Sequence, residues 1–411
     1  MPPLFLYDDA AARAFEPFAL TRPTGELRAG AELLRRRWER ALGIQATGFV
    51  SAPHLDAFEE LDAPSAATTT LPAGAIVANA RAVVSLAERA PDAATWTLGG
   101  RVAAVRLESD LALDELRDGR LDLASLASLA PSEGASEVRG RWLDEVWDLV
   151  AQLAPQLVDD IAALGATIDA TEHGAVVLGR HAVYVERGAT IEPYVVIDAS
   201  AGPVLVRAGA TVQSFTRLVG PSYVGEGSTI VGEIRGCSIG DVCKVHGEIS
   251  ASIVLGLSNK GHDGFVGHSY LARWVNLGAG TTTSNLKNTY GTVALWTPDG
   301  VRDTGQQFLG TLFGDHAKTG IGLRLTTGTV VGAGANVYDR MPPKVVPPFA
   351  WGGDAPYGTY GAEKFVAVAE RAMQRRHVVL GARGRAQLMA AHARAGEARA
   401  AGRYAVARAG D

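Results

Sequence analysis

The 411-residue chain has two cysteines, Cys237 and Cys243, and no lysine before Lys244. Two thiols are too few for a disulfide framework and lack metal-type spacing with nearby partners, so both are expected to be small fillers in a packed interior. No window approaches the roughly eighteen apolar residues of a membrane span. The N-terminus also lacks a basic segment followed by an apolar one, so a cytoplasmic protein with no membrane association is expected. A net charge of −5 offers no basic field for nucleic acid. What is present is ordinary for a globular protein: 47% apolar and 20% charged residues, in a length sufficient for two domains or more.

The scarcity of lysine makes each one informative, and four of the six (Lys244, Lys260, Lys287 and Lys318) fall in one region. That region carries an aliphatic residue every six positions: Val206, Val212, Leu218, Val224 and Ile230. The rhythm begins at Val185, Ile191 and Ile197 and resumes at Ile239, Val245, Leu271, Leu277, Leu325, Val331 and Val337. A helix would show spacings of three and four, and a half-buried strand would alternate, so a period of six needs another geometry. A β-helix of hexapeptides supplies it, each repeat forming one flat side of a prism with its aliphatic residue turned inward. Glycine-containing corners such as Val224-Gly-Glu-Gly suit the tight turns.

Residues 1–165 read as an α/β domain. Leu4-Phe5-Leu6-Tyr7 is a short strand with Asp8-Asp9 at its carboxyl end, where ligands of open α/β sheets tend to sit. Helices are predicted over 30–42 and 141–153, strands over 76–79 and 102–107, and a loop over 63–70. The prism is expected over 166–345. A tail, 346–411, follows the prolines at 342–343 and 347–348 and carries helices over 362–373 and 385–395. Its basic face is either solvated or a phosphate contact.

The prism, the Gly261-His262 pair, and Asn276-Leu277-Gly278-Ala279-Gly280-Thr281 followed by Ser284-Asn285 together resemble the acetyltransferase half of bacterial bifunctional enzymes. Those enzymes N-acetylate glucosamine 1-phosphate and then uridylylate it. Leu20-Thr21-Arg22-Pro23 and Glu26-Leu27-Arg28 resemble a shortened sugar-nucleotidyltransferase domain. The whole is similar to sugar nucleotidyltransferases that join such a domain to a left-handed β-helix. The resemblance implies a homotrimer with shared sites, an amino sugar phosphate or nucleotide sugar as substrate, and acetyl-CoA as co-substrate. It also implies His262 as the catalytic base, Asn285 in the sugar pocket, and Ala279, Thr281, Thr311 and Ala333 along the acyl-CoA groove. A neutral imidazole near physiological pH suits the base role.

The departures are specific. A family tyrosine is Phe265 here, and a family lysine for the sugar phosphate falls on Ser250, for which Lys260 is a candidate replacement. Residues 286–310 are an insertion, predicted to form a hairpin around Pro298-Asp299-Gly300. The phosphate-cradling glycine loop after the first strand is absent; Tyr7-Asp8-Asp9-Ala10 stands there. Arg22 and Arg28 are then candidates for phosphate, and Asp8 or Asp9 for Mg²⁺; a helix cap and surface charges are the alternative for the same residues. His246, His262 and His268 lack the spacing of zinc-binding hexapeptide proteins, in which two of the histidines stand five apart whereas His262 and His268 stand six apart. The expectation is an N-acyltransferase. Sugar-1-phosphate nucleotidyl transfer as the main activity, or a non-catalytic trimeric scaffold that binds a sugar nucleotide, are the alternatives.

Overall fold

The computed structural model describes residues 1–127 and 134–404. The end of the expected tail, 405–411, lies outside them. In the N-terminal α/β domain, strand Leu4–Tyr7 runs parallel to both Ala46–Val50 and Ile76–Asn79. The sheet continues antiparallel through Arg101–Arg106 to Thr95–Leu98 and ends on Ala135–Glu137.

Two helices differ from expectation. The helix placed at 30–42 begins only at Leu34, because Arg28–Ala29 and Glu32–Leu33 pair as a small hairpin around Gly30 (φ +62°). The helix placed at 141–153 is a strand, Gly140–Trp142, followed by short helix Asp148–Ala151 and then helix Leu153–Gly165. Pro155 therefore lies in the first turn of a helix, where its missing N–H is no loss, rather than beyond the end of one.

Residues 176–352 form a parallel β-solenoid of three flat faces. One face is a nine-stranded ladder from Val183–Val185 to Val345–Val346. Every residue of the six-residue rhythm turns inward; fourteen are fully buried in one continuous core and Ile191 packs against it. Cys237 and Cys243 are buried in the same core. The N-terminal domain lies broadside on the nine-stranded face. Leu205, Tyr223, Ile253, Tyr270 and Leu312 of that face share a cluster with Phe18, Leu27, Trp147, Leu157 and Ile161. Helices Ala362–Gln374 and Ala382–Ala400 pack beside this junction on Leu257, Trp274 and Phe349. No helix among the described residues is long and apolar enough to cross a membrane.

Candidate functional site

The corner between the second and third faces is not uniform. From inward Val212 to outward Arg217 it takes four residues, and from Lys260 to Phe265 four again. In the two coils between, from Ile230 to Glu233 and from Val245 to Glu248, it takes only two. Strands Thr229–Arg235 and Lys244–Ser250 therefore run straight across the corner. They leave a notch two coils high, on the order of 10 Å at the usual strand spacing. Gly232 and Gly247 floor it with φ of +107° and +104°. A Cβ on Gly232 would stand 2.4 Å from the Gly247 carbonyl oxygen, so only glycine allows the crossing.

His262 projects from the longer corner at one edge of this notch. Its ring is exposed and has no hydrogen-bond partner among the described residues. His246 on the shortened corner places Nε2 3.4 Å from Asp263 Oδ1, flanking His262. Gly264, at φ +126° and pressed against the Thr281 carbonyl, brings the chain back onto the third face.

Lys260 does not face this notch. It takes the inward position of the second face, in register with Val245, and is 2% exposed. Its ammonium bonds to the carbonyl oxygens of His246, at 3.0 Å, and of His262. Burial pulls its pKa down to about 8. It is a tie behind the His262 corner and is not available to a phosphate in solvent. Arg235 stands one rung from Ser250 on the same ladder, half-exposed and ion-paired with Glu233. Counting along the sequence misses it, because the short corner breaks the six-residue register.

Phe265 lies on the third face, its ring over Gly267 and beside the Asn285 amide. Asn285 Nδ2 donates to His268 Nδ1 at 2.9 Å, and the His268 ring stacks on Phe308, 5.2 Å between centroids. Burial lowers the His268 pKa, so the ring is held neutral as an acceptor. Among the described residues, no three of His, Cys, Asp and Glu are grouped closely enough to hold a metal ion.

Ala279 lies one coil further along the same corner, where the Gly280 N–H meets the Asp263 carbonyl at 2.9 Å. Of the other three groove candidates, Thr281 ends the same corner but points inward, and two lie elsewhere. Thr281 is buried, its hydroxyl 2.7 Å from that of Thr319. Thr311 is buried on the face that carries the N-terminal domain, and Ala333 lies under the C-terminal helices. The corner beyond Ala279 is built by Ile321, which is 81% exposed, and then Tyr338.

The N-terminal candidates separate similarly. Arg22 is buried, with Nε 2.9 Å and Nη2 3.0 Å from the Asp315 carboxylate and Nη1 2.9 Å from Glu60. Arg28 is buried over the Tyr223 ring, 3.5 Å from Asp241. Both join the two domains and have no free face for phosphate. Asp8 accepts from Ser51 Oγ at 2.6 Å and from the Thr24 N–H, and burial raises its pKa to about 6. Asp9 caps the helical turn Ala10–Arg13 and is gripped by Arg81 and Asn79. Burial works to raise its pKa, but the Arg81 bond and charge outweigh it and hold the carboxyl below its ordinary value. With their oxygens so committed, neither carboxylate fits Mg²⁺.

A cavity of about 620 Å³ opens at the carboxyl ends of Leu4–Tyr7 and Ile76–Asn79, lined by Asp9, Asn79, Arg81, Arg101, Arg120 and Trp142. Trp142 sits 4.0 Å from the Arg101 guanidinium. These three arginines were not singled out in the sequence. The available signal was weak: each follows a strand end or a glycine turn, at Asn79-Ala-Arg, Gly99-Gly-Arg and Gly119-Arg. Residues 4–167, which build the sheet and this cavity, match the family model described as sugar nucleotidyl transferase. The N-terminal domain is thus similar to sugar nucleotidyl transferases over 4–167. The chain is also 33% identical, over 91 residues, to a bifunctional sugar-1-phosphate nucleotidylyltransferase/acetyltransferase from Sulfurisphaera tokodaii. That alignment covers 22% of this chain and 23% of the relative, so the chain spans about a quarter of the length of the protein it matches. The N-terminal domain holds its cavity on the sheet, while the His262 notch belongs to the solenoid docked beside it.

Proposed function

We propose that the solenoid corner at His262 is an acyl-transfer site acting on an amino sugar phosphate or nucleotide sugar, with acetyl-CoA as donor. The observation that carries this reading is the notch, with His262 at its edge and Phe265, Asn285 and Arg235 on the adjoining third face. The acceptor nitrogen attacks the thioester carbonyl and loses a proton to the His262 imidazole; the C–S bond then breaks, and the departing thiolate takes that proton back from His262 to leave as free coenzyme A. General-base help of this kind is worth roughly 10²- to 10⁴-fold in rate. Arg235 supplies the positive charge that Ser250 lacks, and Phe265 gives the sugar an apolar wall. The acetyltransferase half of the name carried by the Sulfurisphaera tokodaii protein supports the reading. A homotrimer is the proposed assembly, checked by light scattering on the purified chain.

The test follows CoA release from acetyl-CoA against a panel of amino sugar phosphates and nucleotide sugars, in wild type and His262→Ala. Release confined to wild type is expected. No release with any acceptor, or equal release from both proteins, sinks the assignment and leaves a non-catalytic scaffold. A second reading, sugar-1-phosphate nucleotidyl transfer, is favoured by the arginine-lined cavity of the N-terminal domain. Pyrophosphate formation from nucleoside triphosphates, lost in Arg81→Ala, would establish it. No step of that reaction is assigned to Mg²⁺ here, because Asp8 and Asp9 are already engaged.

A further inference from the structure

A second cavity, of about 340 Å³, lies between the second face of the solenoid and the end of helix Ala362–Gln374. Lys244, Asn259, Asn276 and Lys318 take successive outward positions on that face. Arg375 and Arg376 close the other side. The lining holds four cations and no carboxylate, in a chain whose net charge is −5. None of the four makes an ion pair among the described residues, although Lys318 and Arg376 are partly buried. The Lys318 ammonium has one bond, to the His316 carbonyl oxygen at 3.3 Å. Burial pulls its pKa down to about 8, the mark of a cation lacking a counter-charge. Asn259 donates to Asn276 Oδ1 at 2.8 Å, which leaves the Asn276 amide N–H groups free to donate.

Unneutralised like charges gathered in one concavity raise the local anion concentration and repel each other until an anion arrives. From Lys244 to Lys318 the row spans three rungs, on the order of 14 Å, which exceeds the reach of a single phosphate. A nucleic-acid strand would need a basic track continuing beyond the cavity, and helix Ala362–Gln374 closes it. We propose that this cavity binds the pyrophosphate group of a small molecule. The chemistry is shared by coenzyme A, by nucleoside diphosphate sugars and by inorganic pyrophosphate itself. The proposal stands independently of acyl transfer at His262.

Calorimetric titration of the full chain with inorganic pyrophosphate, coenzyme A and UDP-glucose tests it, with Lys318→Gln/Arg376→Gln, Lys244→Gln, His262→Ala and Arg81→Ala as comparisons. At least one ligand is expected to bind wild type with an affinity that falls as salt rises. The affinity should drop tenfold or more in the double variant, fall severalfold in Lys244→Gln, and hold in His262→Ala and Arg81→Ala. The ligand that binds names the source of the pyrophosphate. Absence of binding by all three, unchanged affinity in the double variant, or loss in Arg81→Ala alone would overturn it. Should the double variant fail to fold, exposed Lys244→Gln decides: unchanged affinity there overturns the proposal as well.

Discussion

Lys260 occupies an inward position that neighbouring coils give to Val245 and Leu277. Its ammonium holds two corner carbonyls, and one belongs to the residue proposed as base. Replacing it with methionine keeps the volume and removes the tie. Lys260→Met is expected to lower CoA release roughly tenfold through displacement of the His262 corner. Relief of a buried charge partly offsets the lost bonds, so stability should shift by only about 1 kcal/mol. Loss of stability with unchanged turnover per folded molecule would make the tie purely structural. Asp8 gives a pH prediction. Its folded pKa, about 6, lies above the ordinary value of 3.8, so the native state binds the proton more tightly. The stability this contributes is present below pH 3.8 and lost as pH rises through 6. The stability difference between wild type and Asp8→Asn should therefore move against wild type by about 2 kcal/mol between pH 4 and 7, read by urea unfolding.

At the scale of elements, the insertion predicted as a hairpin is one, Ala294–Thr297 paired with Gly300–Asp303. It does not extend into solvent. Leu295 and Trp296 are buried against the N-terminal domain, Trp296 lies 5.3 Å from Tyr404, and Arg302 pairs with Glu145. Trp296→Ala should cost about 3 kcal/mol, a typical value for a buried tryptophan, and show as a lower melting temperature. How much was legible follows from such cases. The six-residue rhythm could be read because every inward site on it is aliphatic. The corners could not, since a two-residue corner shortens the inward spacing from six to four, at Ile230 to Ile234 and Val245 to Ile249, and brings Arg235 into register with Ser250. Trp142, Val146 and Leu149 fit helical spacing, yet Trp142 sits on a strand, because a strand end and a following helix reproduce that spacing by chance. Arg22 and Arg28 looked like phosphate ligands because a sequence shows charge without showing the acid opposite it.

At the scale of the molecule, Glu60 of the N-terminal domain accepts from Arg22, from Arg273 and from Trp274 Nε1 of the solenoid. Burial works to raise its pKa, but the two arginine charges outweigh it and hold the carboxyl far down. Gln387 of the last helix adds a bond to the Thr21 carbonyl. Three distant parts of the chain thus share one buried charge network. Breaking one member strands the others without water, at a cost of roughly 3–5 kcal/mol. Glu60→Gln is expected to split a single urea transition into two, with the N-terminal domain released from the solenoid. One unchanged transition would place the coupling in the apolar face alone.

The corner beneath the C-terminal helices bears on modularity. Leu257, Trp274, His316 and Phe349 stand there with φ between +54° and +65°, where earlier coils place Gly209 and Gly227. Left-handed backbone costs non-glycine residues on the order of 1 kcal/mol each, and here the side chains at these positions are packed under the helices. The lower half of the prism has therefore given up its autonomy. Grafted onto another protein without residues 361–404, it would carry strained corners and an uncovered apolar strip.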